Sequence, residues 1–372
     1  MSYFTLKDGQ RLYYEDKGRG PDTVIMMHGW TSSHEIYLKP AETLQEQARC
    51  IIYDHRGHGG SKAANKGAPT METLARDLNE IITGLSLSDV TLLGWSMGAG
   101  VVFNYVRLFG CGALKQIILC DMTPKQLNDD EWKLGLYQGK YTKEDMARDA
   151  GKDFYSLYKE FAVAAVPKLK RIPGFLLKKP LKEKLDNCDE SVLKSLAASM
   201  KLQDNRPIAG QITMPLTYFY ADPGSLFSPK LADWYGEHVT TAYRPVRFPE
   251  CTHMLVTDYP EKFTEEVGKV LPIRTQSISV WIAAFIRRRE SLAPPLGNSP
   301  RCANRGTEGF RASCLTQLSH HRGEACPSRQ RVKKRGDFAA FPRNRRIFFQ
   351  FYLPCGVPIH RLRNKRPEST PG

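Results

Sequence analysis

Val90-Thr91-Leu92-Leu93-Gly94-Trp95-Ser96-Met97-Gly98-Ala99-Gly100-Val101 decides how this chain is read. An apolar run leads into a serine between two glycines, and a helix-forming run follows. A serine hydroxyl attacks only when a base lies beside it and the chain turns sharply enough to present it. Glycine at positions 94 and 98 permits that turn, because a side chain at either would clash where strand meets helix. The pattern predicts an activated nucleophile at Ser96, with the Met97 amide as one donor to a developing oxyanion.

A serine nucleophile needs a base and an acid. Between Ser96 and residue 272 the only histidines are His238 and His253. His238 reads as the end of a helix. His253 lies in Pro249-Glu250-Cys251-Thr252-His253-Met254, after the strand-like Tyr243-Arg244-Pro245-Val246-Arg247-Phe248, and is the expected base. Two carboxylates end apolar strands: Asp121 after Gln116-Ile117-Ile118-Leu119-Cys120, and Asp222 after Leu216-Thr217-Tyr218-Phe219-Tyr220-Ala221. Both should reach the rim of a sheet where ligands bind. Asp222, one strand before His253, is preferred. Asp121 remains the alternative and is read as a structural residue. The strand Val24-Ile25-Met26-Met27 stops at His28-Gly29-Trp30. Trp30 is expected to give the second oxyanion amide and, with its indole, to wall an acyl pocket.

These pieces, together with Asp54-His55-Arg56-Gly57-His58-Gly59-Gly60-Ser61, resemble the α/β-hydrolase superfamily over residues 1 to about 272. Within it they resemble the small serine esterases, especially the branch containing cofactor-free haloperoxidases (perhydrolases). The resemblance implies an acyl-enzyme mechanism on a small carboxylic ester with no metal or cofactor. Thioester, lipid ester, perhydrolase and carbon–carbon bond hydrolysis are the alternatives on the same site. A non-catalytic ligand-binding member of the fold is the alternative of another class. The Asp54–Ser61 segment reads as a structural turn, with His55 and His58 as surface or packing residues. Cys251-Thr252 stand where relatives usually carry a glycine before the histidine, which implies an altered loop.

Apolar runs at 23–28, 50–54, 89–95, 115–121, 216–221 and 243–248 alternate with helical patterns, of which the one at 71–85 is the clearest. That alternation predicts a mostly parallel sheet, preceded by a hairpin around Lys7-Asp8-Gly9-Gln10. The last helix is expected at 259–271. The core is expected at 1–124 and 211–272, and a helical cap at 125–210, with helices at 142–166 and 190–202. Trp95, Trp132, Tyr137 and Tyr141 are candidate pocket residues beside Trp30. Lys168, Lys170, Arg171, Lys178 and Lys179 read as a solvated face.

The formal charge of +15 lies in the tail. Residues 273–372 hold 20 Lys+Arg and 5 Asp+Glu, whereas residues 1–272 hold 34 of each. The tail reads as a disordered basic extension, or as the product of a frame change near Leu271. Nucleic-acid binding is expected only through it, if at all. Cys302, Cys314, His320, His321 and Cys326 match no paired zinc spacing. No signal peptide or membrane span is expected, and five scattered body cysteines suit reduced thiols, so a cytoplasmic location follows. The oligomeric state stays open.

Overall fold

The computed structural model describes residues 2–271 apart from 64–66 and 225. The expected basic extension at 273–372 lies outside the described residues. Eight strands form one sheet in the order β1-β2-β4-β3-β5-β6-β7-β8. They are β1 Ser2–Thr5, β2 Arg11–Lys17, β3 Asp22–Met27, β4 Ala48–Tyr53, β5 Val90–Trp95, β6 Leu114–Cys120, β7 Leu216–Pro223 and β8 Tyr243–Cys251. β2 runs antiparallel to β1 and β4, and the other pairings are parallel.

The central strands are apolar on both faces because helices cover both. Ile25, Met27, Ile51, Leu92, Ile117 and Leu119 pack into one core. Their neighbours Val24, Met26, Ile52, Leu93 and Ile118 pack into the other. A one-residue slip in any of these strands would exchange the two faces.

The helices are α1 Leu38–Leu44, α2 Met71–Gly84, α3 Met97–Phe109, α4 Leu136–Gly139, α5 Lys143–Asp149, α6 Phe154–Ala165, α7 Gly174–Asp186, α8 Glu190–Leu202, α9 Arg206–Ala209, α10 Leu231–His238, α11 Leu255–Asp258 and α12 Pro260–Val270. Leu74, Leu78, Ile81 and Ile82 are the buried stripe of α2, and a Thr70–Thr73 capping box starts it. α4 to α9 all lie in the connection between β6 and β7.

The single helix expected at 142–166 is two. Thr142 caps α5 through the Asp145 amide, and Asp153 caps α6 through the Ser156 amide. Gly151 and that second cap separate the two helices, the first of which buries no residue. The five lysines and arginines expected as a solvated face are exposed. Among the described residues, no helix is long and apolar enough to cross a membrane.

The Asp54–Ser61 turn is built by its own side chains. The Asp54 carboxylate accepts from the amides of Gly60 and His34. Ser61 Oγ donates to the Asp54 carbonyl and accepts from the Tyr13 amide. Arg56 makes a two-pronged ion pair with Asp77 and a further one with Asp8.

His55 and His58 are packing residues and not surface ones: they are 1% and 0% exposed. With His28 they form a buried trio, His28 lying 4.6 Å from His55 and 5.1 Å from His58 between ring centroids. His28 Nε2 accepts from the His55 amide, whereas both ring nitrogens of His55 lack a hydrogen-bond partner among the described residues. Burial lowers all three proton affinities, His58 to about 4 and His55 to about 3.

The consequence for stability has a definite sign. The unfolded imidazoles titrate near 6.5 and bind protons more readily than the folded ones. The stability they lend is therefore complete above that pH and is lost as pH falls toward the folded values. Each proton involved steepens the loss by about 1.4 kcal/mol per pH unit. Urea midpoints of the wild type should drop steeply between pH 6.5 and 4, and His55→Phe should show a shallower slope by about one proton. Equal slopes for the two proteins would contradict this account.

Candidate active site

The site is assembled at the C-terminal ends of β3, β5, β6 and β8, where the strand order reverses and open sheets leave a crevice. Ser96 follows β5 and precedes α3, at φ 54° and ψ −119°. Only a tight bend imposes this conformation on a serine. The flanking glycines are obligatory in this packing. A Cβ on Gly94 would meet the Gly98 carbonyl carbon at 2.5 Å, and one on Gly98 would meet the Met27 oxygen at 2.3 Å. Both contacts are with backbone, which cannot swing aside.

His253 Nε2 lies 2.9 Å from Ser96 Oγ, and its Nδ1 lies 2.7 Å from Asp121 Oδ2. All three side chains are buried. The imidazole is braced from several sides. Trp95 Nε1 donates to the His253 carbonyl at 2.9 Å, and the Trp95 and Phe227 rings lie against the imidazole. The loop before it is tied by Asp258, whose Oδ2 accepts from the Thr252 amide and hydroxyl. Cys251-Thr252 thus hold this loop by side-chain bonds. Asp258 and the Trp95 bond were not anticipated from the sequence: Asp258 belongs to no motif, and the variable position that Trp95 fills between glycine and serine does not say where its indole reaches.

Asp222 is not the partner of His253. β7 runs on through Pro223, so Asp222 sits inside the β7–β8 ladder opposite Pro249. Its carboxylate takes the Arg247 guanidinium, and its side chain is 26% exposed. β6 stops at Cys120, which pairs with Trp95, and the Ser96 amide donates to the Cys120 carbonyl. Asp121 therefore leaves its strand directly beside the nucleophile, at φ 42°. Its Oδ1 also accepts from the Ala221 amide.

Gly29 runs against the nucleophile: a Cβ there would lie 3.1 Å from Ser96 Cβ. Trp30 follows, and its Nε1 donates to the Leu193 carbonyl of α8. Its ring contacts Phe154, Tyr158 and Phe161 edge-on. Met97 opens α3, so its amide is among those without a partner in the helix.

A cavity of about 440 Å³ extends from Ser96 and Trp30 past Tyr137, Phe154, Phe161 and Phe227. A smaller space of about 30 Å³ adjoins it between Ser96, Trp95, His253 and Met254. Of the expected pocket residues, Trp30 and Tyr137 line the larger space and Trp95 the smaller. Trp132 and Tyr141 stand behind the wall. Trp132 packs edge-on against Trp234 and donates to the Lys125 carbonyl. Tyr141 backs Tyr137 and donates to Asp149. An indole or phenol whose polar atom finds a partner behind the wall is held there.

Residues 22–258 match the family described as the alpha/beta hydrolase fold. The chain belongs to that family. It is 35% identical over 125 residues to non-heme chloroperoxidase CPO-A1 of Kitasatospora aureofaciens, spanning 33% of this chain and 45% of that protein. It is 23% identical over 269 residues to a pimeloyl-[acyl-carrier protein] methyl ester esterase of Nitrosospira multiformis, spanning 69% of this chain and 96% of the relative. A solved structure of the esterase EaEST from Exiguobacterium antarcticum superposes with a TM-score of 0.62 at 27% identity, covering 73% of this chain and 98% of that one. The expected superfamily membership and the resemblance to esterases and haloperoxidases are both met.

Proposed function

We propose that this alpha/beta hydrolase cleaves a carboxylic ester through an acyl-enzyme on Ser96. The observation that carries the reading is the unbroken hydrogen-bonded chain Ser96–His253–Asp121 at 2.9 and 2.7 Å. His253 takes the serine proton as Oγ attacks the carbonyl carbon, and returns it to the leaving alcohol. Asp121 holds the ring with Nδ1 protonated and stabilises the imidazolium. The Met97 and Trp30 amides receive the oxyanion. No metal or organic cofactor enters these steps. The esterases among the similar proteins support the same reaction class.

The leaving alcohol must lie beside His253, which gives it the proton. The space there, about 30 Å³, shares Ser96, Trp30 and Phe161 with the larger cavity. The 440 Å³ cavity is left for the acyl chain. The β6–β7 connection acts as the cap that roofs it. A panel of methyl and nitrophenyl esters of graded acyl length tests this reading. Nitrophenyl esters should show a burst of one nitrophenol per enzyme followed by slower turnover. Absence of both burst and turnover across the panel would refute it.

A further inference from the structure

α7 turns one face to the molecule and the other to solvent. Leu177, Leu181 and Lys184 are its buried residues. Leu177 and Leu181 join Leu169, Tyr158 and Ala162 in a small cluster of the β6–β7 connection, against which Trp30 packs. The opposite face carries Phe175, Lys178, Lys179 and Lys182 at the i, i+3, i+4 and i+7 spacing, and all four are exposed. Phe175 is 77% exposed, more than any other large hydrophobic residue among those described, and the adjacent Leu176 is 43% exposed. The short 3-10 helix Pro167–Arg171, held to the same cluster by Leu169, adds exposed Lys168, Lys170 and Arg171. Residues 167–182 thus hold six cations and no acidic residue. Of the six, only Lys179 has an ion-pair partner among the described residues, Glu183 at 3.9 Å.

A lone exposed apolar side chain needs no explanation, and neither does a solvated run of lysines. Here two adjacent apolar side chains stand in water with cations before and after them in the chain. Cations gathered without counter-charges repel one another, and an anionic surface relieves that repulsion. We infer that this face of α7, with the turn before it, docks on the surface of an anionic phospholipid bilayer. Phe175 and Leu176 enter the interface, and the lysine and arginine stems lie along it while their charged heads meet lipid phosphates. Charge draws the face to the leaflet, and the apolar pair adds burial that charge alone does not supply. A soluble polyanion would satisfy the cations but leave Phe175 and Leu176 in water, so the lipid surface fits the whole face. The helix lies on the bilayer and does not cross it. The docking is independent of the chemistry at Ser96.

The test uses the full chain with Phe175→Trp, which puts a reporter at the centre of the face. The vesicles are phosphatidylcholine and phosphatidylglycerol, with part of the phosphatidylcholine brominated on its acyl chains. The wild type, with five tryptophans of its own, is the blank. The added indole should shift to the blue and be quenched by the brominated chains. Sedimentation with unbrominated vesicles should show roughly ten-fold weaker binding for Phe175→Ser/Leu176→Ser. The loss should be at least as large for Lys178→Gln/Lys179→Gln/Lys182→Gln, and for the wild type on pure phosphatidylcholine. Melting temperatures should match the wild type, because every changed side chain is exposed. Residues 273–372 are common to all these proteins, so binding through their charge alone would leave wild type and variants alike. Equal vesicle binding by the wild type and both multiple variants overturns the inference, as does an indole at position 175 that brominated vesicles do not quench. A response of that indole to polyglutamate but not to vesicles would assign the face to an acidic protein and overturn it as well.

Discussion

Asp121→Asn is expected to lower kcat for ester hydrolysis by on the order of 10³–10⁴. Asparagine fills the same volume, and its oxygen can still accept from the Ala221 amide, so the fold should hold. What is lost is the anion that fixes Nδ1–H on His253, and the ring then adopts the tautomer that cannot accept from Ser96. Asp222→Asn should leave kcat nearly unchanged. That carboxylate pairs with an Arg247 side chain 59% exposed, and such a surface pair contributes about 0–1 kcal/mol to stability. The two variants, assayed side by side at saturating ester, distinguish the carboxylates. A large loss in Asp222→Asn with a small one in Asp121→Asn would contradict the structure's pairing.

Ser96→Ala should remove turnover almost entirely, by on the order of 10⁶ in kcat. Alanine keeps the same Cβ at φ 54°, so the strain of the bend is unchanged and the melting temperature should stay close to that of the wild type. The residual rate measures what the oxyanion amides and the binding pocket do without a nucleophile. A variant retaining a tenth or more of the activity would mean that another group attacks the ester.

Much of this was legible in the sequence because the signals were local. Continuous apolar runs at 23–28 and 89–95, a stripe at 71–85 and paired glycines around Ser96 each need only a short window. His253 was legible by elimination. The acid was not. Asp121 and Asp222 each follow an apolar run, and the sequence cannot say which strand ends first. The answer depends on β7 continuing two residues past the expected stop while β6 does not, which is a matter of pairing between strands. The pocket residues divided for a similar reason. Trp132 and Tyr141 are as aromatic as Tyr137, but the acceptors that hold their polar atoms come from Lys125 and Asp149, contacts set by how α4 and α5 fold back.

The central claim is that Ser96 is the activated nucleophile. The most direct measurement is labelling of the full chain with a fluorophosphonate, followed by peptide mapping by mass spectrometry. One adduct per chain, on the peptide holding Ser96 and absent from Ser96→Ala, is the predicted result. Labelling that persists in Ser96→Ala, or an active enzyme that takes no label at Ser96, would contradict it.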